Sequence, residues 1–258
     1  MESTQDSSPG SLTPIFVFYA AAVGIPLLLV AVLVAVVVPM PLFLGLLIVV
    51  AVVGLTAYLT HRRYSKVDEI LLDELDVVDA DDREHARAYN LLEALSLRSG
   101  VDAPDLFLTD DESVNALAIQ QSGDAAAVIT AGAANKLDRL QLEGLLAEVI
   151  ARIANGDARA ATVAVGMLMP FSGGPLSFLA PAADSMIDRV LSPERELSGD
   201  LAAVNLTRYP PGLRDALELA DEETGIGTEA TTRLWVVPPS SSSSRYDLNV
   251  RLAILNEY

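Results

Sequence analysis

Leu142-Glu143-Gly144-Leu145-Leu146-Ala147-Glu148-Val149-Ile150-Ala151-Arg152-Ile153-Ala154-Asn155-Gly156-Asp157 is the stretch from which the rest of the chain can be read. Leu142, Leu145, Leu146, Val149, Ile150 and Ile153 recur at i, i+3, i+4 and i+7, the period of a helix with a core-facing stripe. Upstream, Asp138 and Gln141 have the spacing of a capping box, and Asn155-Gly156 suits a C-terminal stop, so the helix is expected from about Leu140 to Ala154. Glu148 and Arg152 stand one turn apart in the orientation that favours an ion pair, worth about 0.2–0.5 kcal/mol on an exposed helix. Taken alone, such a pair is an ordinary solvated one.

Working toward the N-terminus, three strand-like runs precede this helix, at Asp105–Thr109, Asn115–Ile119 and Ala125–Thr130. Asp110-Asp111-Glu112-Ser113 and Ser122-Gly123-Asp124 make turns between them, which predicts a small sheet. Before the strands, Ala88, Leu91, Leu92 and Leu95 give a buried face to a helix from Glu84 to Ser99, stopped by Gly100. An acidic segment from Val67 to Asp82 leads into it. Beyond the central helix, Val163 to Ala182 is apolar but broken by Pro170, Ser172-Gly173-Gly174-Pro175 and Pro181. It reads as membrane-surface or half-buried helices, with a third membrane span as the alternative. Helix is expected again to about Thr207 and from Leu213. A Pro238-Pro239 turn and a Ser240–Ser244 linker then precede a last helix near Asp247–Leu255.

Between Ile15 and Leu59 there is no Asp, Glu, Lys, Arg or His. Pro39-Met40-Pro41 splits this run into 15–38 and 42–59, each close to the ~20 residues that cross ~30 Å of hydrocarbon. The expectation is a transmembrane hairpin preceded by a polar tail, 1–14, and followed by a domain at 60–258. The tail has no Lys or Arg before the apolar run, which argues against a cleaved signal peptide. His61-Arg62-Arg63-Tyr64-Ser65-Lys66 is the densest basic cluster and places the domain, with both termini, on the cytoplasmic side.

All charge falls outside the hairpin, and it is lopsided: 17 Lys plus Arg against 35 Asp plus Glu, a net charge of -18. An acidic surface repels polyanions, so nucleic acid is excluded as a partner. Self-repulsion on this scale is tolerable where molar salt shortens the Debye length to ~3 Å, as in a halophilic archaeon. Cysteine is absent, which removes disulfides, thiolate nucleophiles and Cys-based metal sites. The fold class expected is α+β, mostly helical: the hairpin followed by a domain with a small sheet.

The order of these segments resembles the HtpX-like and prenyl-protein-type membrane metallopeptidases. Glu84-His85 through Tyr89-Asn90 resembles that family's entry helix, Asn115-Ala116 its edge strand, and Ala127-Val128-Ile129-Thr130 the strand before its catalytic helix. Leu142-Glu143-Gly144-Leu145-Leu146-Ala147 resembles the lead-in to the family's His-Glu-x-x-His, and Asn155-Gly156-Asp157 resembles the Asn-x-Asp on its C-terminal side. Arg195-Glu196 with Asp200 resembles the segment that supplies the third zinc ligand, and Pro238-Pro239 with Arg251-Leu252 the C-terminal region. The resemblance implies a gluzincin-like peptidase domain, zinc as the family cofactor, and an edge strand at Asn115, Ala116 and Leu117 that pairs with extended peptide.

Where that motif falls, this chain reads Glu148-Val149-Ile150-Ala151-Arg152. Two imidazoles at i and i+4 would hold the zinc, and the adjacent Glu would activate its water. Glu148 and Arg152 occupy the ligand positions, Val149 the base position, and Glu196 alone keeps the type of a third ligand. Neither histidine, His61 nor His85, lies in this segment; His85 suits packing or capping and His61 a membrane interface. Glu148, Glu196 and Asp200 could instead take a hard cation, although acidic pairs on such helices are ordinarily solvated. The expectation is that no cofactor is bound. The chain then reads as an inactive pseudopeptidase, a protein- or peptide-binding regulator in membrane-protein quality control. Its partners would be the bilayer and a membrane protein, an extended peptide or an active relative. The alternatives are an active metalloendopeptidase with unusual ligation, disfavoured by the absence of any G-x-S-x-G elbow or placed histidine, and a purely structural membrane protein.

Overall fold

A computed structural model describes residues 12–38, 41–221, 231–238 and 248–258. The expected Ser240–Ser244 linker and Pro239 of the Pro-Pro turn lie outside the described residues. Two long helices come first, α1 (Thr13–Val37) and α2 (Leu42–Tyr64). Both are long and apolar enough to cross a membrane, and Leu29, Val36, Leu46 and Val50 leave more than half their surface uncovered, as suits lipid-facing side chains. α1 begins two residues before the expected 15–38 and stops one short of it, while α2 runs five residues past the expected 42–59. His61 to Tyr64 of the basic cluster form the last turn of α2, where Arg63 donates from Nε and Nη2 to the Gly166 carbonyl at 3.0 and 2.6 Å. Gln121 adds a bond to the Tyr64 carbonyl at 2.8 Å, so the end of the hairpin is tied to the domain.

The acidic segment folds into α3 (Val67–Glu74) and β1 (Val78–Asp79), followed by α4 (Ala86–Ser99). Three further strands follow, β2 (Asp105–Thr109), β3 (Ala116–Gln121) and β4 (Asp124–Thr130), then the short α5 (Ala131–Lys136) and the central α6 (Arg139–Ala154). The capping box forms as the spacing predicts: Asp138 accepts from the Leu140 and Gln141 amides, and Gln141 accepts from Asp138 N. Gly156 follows in the left-handed region at φ 77°, where a side chain would be strained. The chain continues through α7 (Asp157–Leu168), two 3-10 turns, α8 (Ala180–Val190), α9 (Pro193–Thr207), α10 (Pro210–Asp221), and α11 (Leu248–Glu257).

The sheet has the order β1-β2-β4-β3, with β2 and β4 parallel and the other neighbours antiparallel. Alternation along its strands divides two cores. Ala116, Ala118, Ala127 and Ile129 face α4, α6, α9 and α10, while Leu117, Ile119, Ala126 and Val128 face α1, α3, α7 and α8. Small side chains on the first face let α6 lie close to the sheet. On its other side α6 meets α10 so closely that a Cβ at Gly144 would come within 2.3 Å of the Leu213 nitrogen. The apolar run beginning at Val163 has its first third inside the second core: Val163, Ala164, Val165, Met167 and Leu168 are all fully buried in α7. Ile15 and Tyr19 of α1 join the same core, with Tyr19 and Phe18 edge-on to Phe171 at 5.9 and 5.4 Å.

Candidate functional site

The crossing of α6 and α9 brings together the residues that the sequence singles out. Glu148 is completely buried and points at α9, where a Cβ at Gly199 would sit 3.3 Å from its Oε1. Arg152, one turn on, donates from Nε to Glu148 Oε1 at 2.7 Å. Its Nη1 reaches the Leu234 carbonyl at 3.1 Å and the Trp235 carbonyl at 3.5 Å. Glu196 and Asp200 are buried on α9, one turn apart, and Arg152 and Glu196 line the same small cavity of ≈ 30 Å³. Val149 is also fully buried, but as part of the apolar core under the sheet.

A second arginine completes the cluster. Arg251 of α11, 1 % exposed, makes a two-pronged contact with Asp200, Nε to Oδ2 and Nη2 to Oδ1, both 2.7 Å. Its Nη1 donates to the Val236 carbonyl at 2.8 Å. The sequence marked Arg251 only by its place near the C-terminus and gave no sign of this partnership. Outside the pair, Arg195 bridges to Asp157 at 3.0 Å.

The electrostatics follow from burial. Desolvation pushes the Glu148 pKa upward; Arg152 and Arg251 oppose it, while Asp200 adds to it. Glu148 Oε2 is buried with no hydrogen-bond partner among the described residues, which adds to the cost of its charge. For Arg251 burial works against the charge, but the Asp200 carboxylate outweighs it and keeps the guanidinium more basic than usual. Asp157 is raised by burial, with Arg195 opposing.

The carbonyls held by these arginines are those of Leu234, which ends a 3-10 turn, and of Trp235 and Val236, which follow it along the edge strand. Trp235 pairs antiparallel with Leu117, and the Val236 amide donates to the Ala116 carbonyl at 2.8 Å. Asn115 brackets Val237 from both sides, accepting from its amide at 3.1 Å and donating to its carbonyl at 2.5 Å. The Ala116 amide is taken by Asn115 Oδ1 at 3.0 Å, and the Gln120 amide by the Thr162 hydroxyl at 3.0 Å. The outer edge at Asn115, Ala116 and Leu117 is therefore lined by the chain's own residues 235–237. Sequence reasoning missed this edge segment because Trp235-Val236-Val237 is short and its partner is far away in sequence.

Comparison with known proteins places the chain. It is 30% identical over 231 residues to the Protease HtpX homolog of Dictyoglomus turgidum, an alignment that takes in 78% of this chain and 75% of that one. The chain belongs to the HtpX family. It is 32% identical over 189 residues to the Protease HtpX homolog of Dictyoglomus thermophilum, covering 62% of each chain. The homolog from Streptococcus agalactiae serotype Ia is 26% identical over 189 residues, 59% of this chain and 64% of the relative. No family model matches the sequence.

For an HtpX-family chain, the donor set at the α6–α9 crossing does not suit zinc. Neither position that the resemblance gives to an imidazole carries a histidine, and His61 and His85 lie on α2 and before α4. One of those positions instead holds a guanidinium, a pure donor that cannot ligate a cation. Among the described residues, no three His, Cys, Asp or Glu side chains are grouped so as to hold a metal ion. What the cluster does chemically is neutralise itself: two arginines answer two of the buried carboxylates and pin residues 234–236 through their carbonyl groups.

Proposed function

We propose that this is a membrane-anchored, catalytically silent member of the HtpX family that works by binding rather than by hydrolysis, in the quality control of membrane proteins. One observation carries this reading. Arg152, at a position that the resemblance assigns to a zinc ligand, is bonded to Glu148 and to the Leu234 and Trp235 carbonyls. Its Nε and Nη1 are engaged, while its Nη2 is buried with no partner among the described residues; a guanidinium in that place cannot ligate a metal, and with aliphatic Val149 in the base position nothing there activates water. The pseudopeptidase keeps its cleft closed by an internal ion pair, and its partners are membrane-protein segments or a related active peptidase. A partner that adds a strand at Asn115–Leu117 does so by exchange with residues 235–237, since main-chain pairing needs a free edge.

The test uses the full chain in detergent, free of contaminating peptidases. It is expected to leave casein intact with or without added zinc and to contain no stoichiometric zinc after gel filtration. Proteolysis that a chelator abolishes, and that Glu196→Gln also abolishes, would overturn the reading. Crosslinking in the native membrane, with identification of the attached proteins, should return membrane proteins or an active relative.

A further inference from the structure

α7 and α8 pack together, and both reach back to the α6–α9 crossing: Asp157 and Ala161 of α7 and Val190 of α8 line the small cavity there with Arg152 and Glu196. The two 3-10 turns that join them, Met169–Phe171 and Gly174–Leu179, form the opposite end of this pair, its tip. The tip rests on α1. Phe171, 1 % exposed, is the ring that meets Phe18 and Tyr19 edge-on. Met169, Leu176 and Leu179 of the turns, and Ala22 and Val23 of α1, pack against the same core.

These contacts set the height of the tip. Phe16 of α1 meets Tyr64 edge-on at 5.2 Å, so Phe16 is level with the basic last turn of α2. At 1.5 Å per residue Phe18 lies about 3 Å beyond that level, toward the apolar span, and Val23 about 10 Å beyond it. From Phe18 to the last residue of α1, Val37, the helix covers about 29 Å, close to the ~30 Å of a hydrocarbon core. Phe18 therefore stands at the edge of the hydrocarbon, with the tip beside it.

The chemistry of the tip suits that place. No residue between Arg159 and Asp184 is charged, in a chain with 35 acidic and 17 basic residues. Burial in α7 accounts for the first part of this run but not for the tip, where Phe178 is 72 % exposed and Ser177, Pro181 and Ala182 are exposed around it. An apolar patch left open in this way marks an interaction surface. Charge returns one turn into α8, where Asp184 and Asp188 pair with Arg233 at 3.1 and 3.2 Å.

We infer that the tip of α7 and α8 is a membrane-docking lip, in which Phe178, backed by Leu176 and Leu179, enters the headgroup–acyl boundary of the leaflet that α1 enters at Phe18. The lip carries no charge, so the contact is apolar and requires no anionic lipid. It gives the domain a hold on the bilayer besides the hairpin. Because α8 is only about 16 Å long, it also keeps the α6–α9 cavity about that far from the membrane surface. The inference rests on the hairpin crossing the bilayer, and is independent of whether the cluster is catalytic.

The chain has no cysteine, so Phe178→Cys, Leu29→Cys and Leu97→Cys each take a single nitroxide in the full-length protein. All three positions are exposed, on the lip, in mid-span and on α4. Elution volume and circular dichroism certify each labelled fold. In vesicles of phosphatidylcholine or phosphatidylglycerol, paramagnetic relaxation by oxygen and by a water-soluble nickel chelate gives the depth of each label. The label at Phe178 should lie about 5–10 Å below the headgroup level in both lipids and in molar potassium chloride. The label at Leu29 should be deeper, and that at Leu97 open to nickel. A label at Phe178 as open to nickel as that at Leu97, with Leu29 shielded, would overturn the lip and leave the hairpin standing. Nickel access at Leu29 would remove the hairpin and the lip with it. Two further results would also overturn the proposal. One is insertion confined to phosphatidylglycerol and lost in molar salt, which would make the contact ionic. The other is spin–spin broadening at Phe178 that disappears on dilution with unlabelled protein, which would put a second copy of the chain over it.

Discussion

Replacing Arg152 by methionine removes a largely covered cation while keeping most of the side chain's length. Three things change at once: Glu148, completely buried, loses its partner at 2.7 Å, and the carbonyls of Leu234 and Trp235 lose a donor. Breaking a buried pair from one side costs about 3–5 kcal/mol, because the abandoned charge stays desolvated. For a domain of this size each kcal/mol moves the melting temperature by about 2–4 °C, so Arg152→Met should lower it by roughly 6–20 °C. Glu148 can escape part of that cost by taking a proton, which its burial already favours. The deficit should therefore be smaller at pH 5 than at pH 8. Glu148→Met/Arg152→Met removes both charges and should recover most of the loss, since apolar replacement of a buried pair is often neutral or stabilising. Thermal unfolding in detergent, run as a double-mutant cycle at both pH values, measures the coupling. A single variant that costs less than about 1 kcal/mol, or a double variant no better than the single, would refute the reasoning, because the pair would then behave like a surface ion pair.

Burial makes the folded state hold the Glu148 proton more tightly than the unfolded chain does, so wild-type stability should fall as pH climbs from the ordinary carboxylate range through the raised folded value. Glu148→Gln should flatten that slope in pH-dependent unfolding. Asn115→Ala orphans the Val237 amide and carbonyl and the Ala116 amide, at about 1–3 kcal/mol per buried group, and should speed hydrogen exchange of the Val236 amide. With its net charge of -18, the protein should melt at higher temperature as potassium chloride rises from tens of millimolar to molar; a flat dependence would remove the halophilic reading. Cysteines introduced singly at Ser7 and Ser242 should resist an impermeant thiol reagent on intact cells, and labelling at either would contradict the cytoplasmic orientation.

Local signals made much of this structure legible. The capping box, the apolar stripe and the Asn-Gly stop fix α6 nearly to the residue, and the strands begin and end within two residues of the alternation that marks them. Hydropathy does not tell a bilayer from a protein core, so it left Val163 to Ala182 open between membrane-surface and half-buried helices; in the structure Val163 to Leu168 pack against β3, α1, α3 and α8. The helix in the acidic segment has its own signal, Val67, Leu71 and Leu75 at successive turns, but its charges mask them. At the candidate site the sequence supplied the members from α6 and α9 because they lie on two helices of clear period. It could not supply Arg251 or residues 234–237, whose roles depend on contacts between distant segments. The ion pair itself is legible as a helix-surface feature; the complete burial of Glu148, and the second set of bonds from Arg152, come from the packing of α9 and the edge segment over it.

The central claim is that Glu148 and Arg152 stand where a zinc site would be and replace it with an ion pair. Zinc uptake by Glu148→His/Arg152→His tests this most directly. The two imidazoles would lie at i and i+4 on α6 with Glu196 across the crossing on α9, three protein ligands with the fourth position left for water. Val149 is left unchanged, since it is fully buried in the apolar core and is not a ligand position. After loading and gel filtration, the double variant should carry about one zinc per chain, the wild type none, and the double variant with Glu196→Ala far less. A folded double variant that takes up no zinc, or one whose zinc is indifferent to Glu196, would contradict the account.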